Sequence, residues 1–190
     1  ILQHAQKLCD APVAALMLAG PDDLFQKVVA QFGASDATVD LYRRGQVPVD
    51  PEQSFVARAI CSGQTVQVND LADTENYRKG MVAAATTVDD SQVGTLLAVP
   101  LRRDGAVIGA FSLMRKEVRA FTPAQVSLLE IFAAQAVIAI ENARQFREVQ
   151  SRLEREAAAR EILQVISQSR DDEMPVFRAI GTKPIPATSA

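Results

Sequence analysis

"GTLLAVPLRRDGAVIGAFSLMRKEVRAFTPAQVSLLEIFAAQAVIAIENARQF", running from Gly94 to Phe146, is the stretch whose reading decides the fold. Thr95 to Leu101 is continuously apolar and short enough for a buried strand. Arg102-Arg103-Asp104-Gly105 is a turn, and Asp-Gly between two apolar runs is a strong hairpin signal. Ala106 to Arg115 is the returning strand. One of its faces carries Val107, Gly109, Phe111 and Leu113, the other Ile108, Ala110, Ser112 and Met114. Both faces are apolar or small, which predicts a central strand covered on both sides. Thr122-Pro123-Ala124-Gln125 then carries helix-start chemistry: a capping hydroxyl, a proline at the first helical position and a glutamine that reaches back.

Beyond Pro123 the chain contains no Gly or Pro until Pro175. A helix from Pro123 to about Ser169 would be roughly 70 Å long at 1.5 Å per residue. Its first part (Leu128, Leu129, Ile131, Phe132, Val137, Ile138, Ile140) is apolar enough to pack on a sheet. From Glu141 onward Arg144, Arg147, Arg152, Arg155 and Arg160 alternate with Glu148, Glu154, Glu156 and Glu161. Phe132, Ala136, Ala139, Ala143, Phe146, Gln150, Leu153 and Ala157 stand at alternating steps of four and three, a heptad seam interrupted by Gln150 and thinned by alanine. Such a seam flanked by mixed charges implies a partner helix. A parallel coil from two copies of the chain is preferred here to a single helix docked on its own domain.

Toward the N-terminus, Ile1, Leu2, Ala5, Leu8 and Cys9 form one face of a helix over Ile1–Asp10. Val13–Ala19 and Leu24–Phe32 read as a strand hairpin around Gly20-Pro21-Asp22-Asp23. Asp50-Pro51-Glu52-Gln53 reads as a helix start, with Phe55, Val56, Ala59 and Ile60 as the apolar face and Gly63 as the stop. Gln64–Val68 is a third strand closing at Asn69-Asp70. Leu71–Val93 shows little periodicity, and a connection of that length suggests a lid, a binding loop or disorder.

The chain has 190 residues, 48% hydrophobic and 23% charged, with 20 Lys+Arg against 23 Asp+Glu and a net charge of −3. This balance suits a globular domain and argues against a dedicated nucleic-acid binder. One histidine (His4) and two cysteines (Cys9, Cys61) cannot supply the paired ligands of a structural zinc site, and no metal or other cofactor is expected. Two reduced thiols suit a cytoplasmic protein better than a disulfide framework. No run reaches the ~18 consecutive apolar residues of a membrane span, so no membrane contact is expected within this fragment. A chain opening at Ile1 is read as a piece of a longer protein. There is no Ser/His/Asp set, no phosphate-binding glycine loop and no H-E-x-x-H, so catalysis is not expected.

Three stretches together resemble a GAF domain, the small-molecule sensor module of bacterial signalling proteins: "AQKLCDAPVAALML", "QSFVARAICSGQTVQVND" and the Gly94–Phe146 block. The last is the most specific, with V-P-L, D-G, I-G and F-T-P-x-Q-V-S-L-L in order. The resemblance implies an α+β fold: a central antiparallel sheet of about six strands flanked by helices, with a long C-terminal coiled-coil signalling helix. It implies a sensor domain over 1–146. "REILQVISQSRDDEMPVFRAI" is similar to linkers leading to a further domain, which gives a helical linker over 147–180, and "GTKPIPATSA" (181–190) a disordered or extraneous tail. The implied parent is a multi-domain signalling protein of sensor histidine kinase or nucleotide cyclase type. The implied partners are a second copy bound through the terminal helices, an unidentified small molecule, and an effector domain of the same polypeptide.

A pocket between the sheet and the Leu71–Val93 connection would draw on Asp70, Tyr77 and Arg78 for polar contacts and on Met81, Thr95 and Phe111. Cys61 is followed by Ser62 and has no neighbouring histidine, which departs from bilin-attaching relatives. With Cys9 and Cys61 alone, a methionine-sulfoxide reductase of GAF type is a minor alternative. A ligand-free dimerisation relay is the main one.

Overall fold

The structure is a computed structural model that describes residues 1–171, with side chains through Leu163. The chain falls into two units, Ile1–Ile140 and a second beginning at Glu141. The expected tail at 181–190 and the linker beyond residue 171 lie outside the described residues.

The first unit is built on a five-stranded antiparallel sheet in the order β2-β1-β5-β4-β3. The strands are β1 (Val13–Leu18), β2 (Lys27–Phe32), β3 (Val66–Val68), β4 (Thr95–Arg103) and β5 (Ala106–Arg115). The last of these lies at the centre, as its two apolar faces require. The α+β class is as expected, but the strand count is five rather than six. The segment that could complete a sixth strand meets the hairpin at a single bridge, Phe25 to Pro48. Gln26 N–H donates to Val47 O and Val49 N–H to Leu24 O, and the pairing extends no further. The Gln26 side chain donates to Pro48 O instead (2.9 Å). The second strand begins at Lys27, opposite Leu18 where β1 ends, rather than at Leu24.

The β4–β5 hairpin closes through Asp104 (φ 51°) and Gly105 (φ 83°), two consecutive positive φ values that match a primed two-residue turn. Arg102 and Arg103, expected in the turn, extend the strand past a bulge at Leu101/Arg102. Gly109 is where β5 presses on β1: a Cβ there would stand 2.0 Å from Met17 O.

The helices are α1 (Leu2–Cys9), α2 (Asp36–Arg43), α3 (Phe55–Ser62), α4 (Glu75–Arg78), α5 (Val82–Asp89) and α6 (Pro123–Asp171). Two expectations are corrected. The stretch Leu71–Val93 is not an irregular loop but holds α4 and α5. The turn at Asp50–Gln53 precedes α3 rather than opening it, because the Asp50 carboxylate is taken by Glu52 N–H and the Gln53 amide. Ser54 caps α3 by accepting from Ala57 N–H. At α6 the expected reciprocal cap is present: Thr122 Oγ1 accepts from Gln125 N–H and Gln125 Oε1 from Thr122 N–H.

Strand alternation sorts the core into two layers. One sheet face carries Ala14, Leu16, Leu97, Val99, Leu101, Phe111 and Leu113 against Ala5 and Cys9 of α1 and Leu129, Ala133 and Ala136 of α6. The other carries Val13, Ala15, Met17, Leu96, Ala98, Ala110 and Met114 against residues of α2 and α3. Each fully buried Leu or Phe contributes ~1.5–3 kcal/mol.

A window of α6 with mean hydropathy 1.6 is long and apolar enough to cross a membrane by length and composition alone. Its residues Leu129, Ala133 and Ala136 are used in packing on the sheet. The second unit is a helix bearing i,i+3 and i,i+4 ion pairs, Arg144–Glu141 and Arg152–Glu148 (both 2.9 Å), and it exposes Phe146, Val149, Leu153, Ile162 and Leu163.

Candidate functional site

Two small cavities lie between the sheet and the α2/α3/α5 layer, each about 20 Å³, room for about one water molecule. Tyr42, Thr87 and Met114 border both. Phe55, Val56, Leu71 and Leu96 complete one; Val13, Ala15, Met17 and Val28 are on the other. Tyr42 is carried by α2, which Ser35 caps by accepting from Thr38 N–H. Val39 and Tyr42 then fall on one helical face toward the sheet.

Most polar groups around these cavities are satisfied within the protein. Thr38 and Ser91 hydroxyls lie 2.9 Å apart, and Ser35 closes a triangle with them at 3.1 and 3.0 Å, tying α2 to the chain just after α5. Thr87 donates to Ala83 O and Ser54 serves its cap. Tyr42 is 9% exposed and burial pushes its phenol pKa well up, while among the described residues the buried side-chain atom left without a partner is Gln26 Oε1.

The six residues expected around a pocket are placed elsewhere. Asp70 Oδ1 accepts from the Ala72 and Asp73 amides. Tyr77 donates to Asp89 (2.9 Å), a bond that raises the phenol pKa. Arg78 pairs with Asp73, and Met81 is the N-cap residue of α5. Thr95 is fully buried, donating to Asn69 O and Glu117 O while accepting from Arg119 N–H. Phe111 packs on the α1/α6 side of the sheet. None of the six borders either cavity. Residues 34–49, which supply Thr38, Val39 and Tyr42, carry the readable signal: a Ser cap followed by positions 38, 39 and 42 at helical spacing.

On the opposite face Arg115 is fully buried. Nε donates to Asp10 O, one terminal nitrogen to Arg119 O and Ala120 O, and the other to Cys9 O and Gln125 Oε1. The guanidinium also lies 4.0 Å over the Phe121 ring. One side chain thus joins the end of α1, the end of β5 and the start of α6. Cys9 is buried and Cys61 exposed, and burial raises both thiol pKa values, opposed at Cys9 by Arg115. Among the described residues no His/Cys/Asp/Glu group could hold a metal.

An open groove of about 620 Å³ runs between β2 and α2, and it shares Val28, Gln31, Val39 and Tyr42 with the inner cavity. The arrangement is therefore a five-stranded sheet with terminal helices on one face, and on the other a helical cover enclosing small, uncharged spaces. The GAF domain family profile matches residues 1–141.

This chain belongs to the GAF domain family. Among solved structures, a GAF-fold neighbour is a domain assigned to a two-component sensor histidine kinase of Sinorhizobium meliloti 1021, at 19% identity and TM-score 0.57, covering 75% of this chain and 87% of that one. The second GAF domain of DevS from Mycobacterium smegmatis aligns at 20% identity and TM-score 0.56, covering 78% and 93%. The type II free methionine-R-sulfoxide reductase of Thermoplasma acidophilum aligns at 14% identity and TM-score 0.54, covering 74% and 87%. No curated protein sequence matches the chain. At these identities the likeness to solved structures establishes the fold, and the family membership places this GAF domain among regulatory sensing modules.

Proposed function

We propose that this GAF domain is a ligand-responsive sensor that acts through α6 on an effector domain of the same polypeptide, such as a histidine kinase, and has no catalysis of its own. The observation that carries the reading is the pair of cavities sharing Tyr42, Thr87 and Met114, since ligand sites are enclosed, mostly apolar spaces with a few placed polar groups. The Leu71–Val93 segment forms part of the cover over these spaces, through Leu71, Ala83, Ala84, Thr87 and Ser91. A ligand stabilises whichever arrangement it fits better, and the helical cover is the part with room to rearrange. We read the domain as cytoplasmic, and as a homodimer built on the terminal helices; the exposed Ile131 and Ile138 of the first unit and Phe146, Val149 and Leu153 of the second support the dimer.

A melting-shift screen against metabolites and nucleotides tests the sensing role, with a rise of several degrees expected for a true ligand. The second reading, a ligand-free dimerisation relay, is favoured by the small size of the cavities, which the protein's own side chains nearly fill. An absence of any shift at millimolar ligand supports it. The thiol-reductase reading has little support here, because Cys9 and Cys61 lie on different helices with both thiol pKa values raised.

A further inference from the structure

We infer that the space beneath the helical cover takes a small, uncharged, apolar molecule, held by shape and burial rather than by hydrogen bonds. This rests on the ligand-sensing reading above and specifies the chemistry of that site.

Charge is the first criterion. Among the described residues no Lys, Arg, His, Asp or Glu borders either cavity. An anion or cation entering there would shed its hydration and meet no counter-charge, which disfavours nucleotides, amino acids and carboxylates. Hydrogen bonding is the second. The hydroxyls of Thr38 and Ser91 bond each other, Thr87 donates to Ala83 O, and Ser54 accepts from Ala57 N–H. Gln31 Oε1 accepts from Ala34 N–H. Among the described residues the buried side-chain atom without a partner is Gln26 Oε1, and Gln26 borders neither cavity. No orphaned polar atom on these walls therefore calls for a ligand group to complete it. A hydroxyl or amide brought in would give up its water and find the protein's groups already engaged.

What the walls do offer is apolar surface. Val13, Ala15, Met17, Val28, Val39 and Met114 border one cavity, and a molecule that leaves water for such a lining gains by the hydrophobic effect. Size is the third criterion. Met114 borders both cavities, and its unbranched, adaptable side chain can move aside to join them. The ligand is accordingly a molecule of a few heavy atoms, a short or cyclic hydrocarbon. The open β2–α2 groove shares Val28, Gln31, Val39 and Tyr42 with the inner cavity and supplies the way in.

The test uses the full chain with 13C-labelled methionine methyls, observed by NMR. Met17 and Met114 report the cavity, and Met81, which borders neither space, is the internal reference. The probes are cyclopentane, cyclopentanol, cyclopentanecarboxylate and cyclic GMP. Cyclopentane is expected to shift the Met17 and Met114 methyls, and cyclopentanol to bind at least about 5-fold more weakly. Ala15→Val thickens the wall and is expected to weaken cyclopentane roughly tenfold. Should that variant not fold, Val39→Ile adds one carbon from α2 and is expected to weaken it roughly threefold. If the alcohol, the carboxylate or the nucleotide moves the same methyls at equal or lower concentration than cyclopentane, the apolar assignment is wrong although the site still takes a ligand. If the folded variant binds cyclopentane as well as wild type does, the molecule sits elsewhere and the assignment is likewise wrong. If none of the four probes moves either methyl at millimolar concentration, the sensing reading falls with it.

Discussion

Arg115 uses all five of its N–H donors on acceptors that come from α1, from the chain leading into α6, and from Gln125 of α6 itself. A methionine of similar length would fill the space but leave Asp10 O, Arg119 O and Ala120 O to find other donors, and Cys9 O with the Gln125 amide alone. Arg115→Met is expected to lower the unfolding free energy by about 3 kcal/mol or more, read from the urea midpoint, with Arg115→Lys in between. An unchanged midpoint would show that water replaces these bonds freely. Tyr42 supplies a pH signature. Burial raises its folded-state pKa, whereas in the unfolded chain the phenol ionises near ~10. Above that pH the folded form binds more protons than the unfolded one. The stability Tyr42 contributes is therefore intact below ~10 and is lost as pH rises. Wild type should lose stability above pH ~10 more steeply than Tyr42→Phe, as followed by urea midpoints across that range. Tyr77 is shifted in the same direction by Asp89, so the variant flattens the slope without abolishing it.

Helix starts show how far local chemistry can be trusted. Both Asp50-Pro51-Glu52-Gln53 and Thr122-Pro123-Ala124-Gln125 have the residues of a capping box, but only the second caps a helix. At the first, Asp50 folds back on its own turn, and the hydroxyl of Ser54, 4% exposed, does the capping. Ser54→Ala should therefore destabilise the domain by about 1 kcal/mol in thermal or urea unfolding. Asp50→Ala should have a smaller effect, and the reverse order would return the cap to Asp50. The elements legible in the sequence are those with a sustained apolar pattern: the strands β1, β4 and β5, and the helices α1, α3 and α6. The helices α4 and α5 were illegible as such because neither has a sustained apolar stripe: α4 has four residues, and α5 is a run of small and β-branched residues. Thr95 and Phe111 misled for a different reason. Their strand was evident, but which sheet face would receive the α1/α6 layer depends on long-range packing, and that layer took Phe111. Tyr42 was legible in principle from the Ser35 cap and the helical spacing after it.

In the molecule as a whole, the C-terminal half of α6 is the feature with the clearest bearing on assembly. Its exposed Phe146, Val149 and Leu153 stand among charges already paired along the same helix, so those charges do not cover them. Sedimentation of the full chain is expected to show dimers, and a chain ending at Asn142 is expected to dissociate at least tenfold more readily. A truncated chain that dimerises equally well would move the contact to α1 and the first turns of α6. Within the first unit, the order of two neighbouring residues on β5 has a mechanical consequence. Met114 ends in the enclosed space beneath the helical cover, and the next residue, Arg115, grips both helix junctions from the other side of the sheet. Their shared peptide bond is rigid and planar. The space beneath the helical cover and the hub that pins the entering and departing helices are thus held by adjacent residues of one strand.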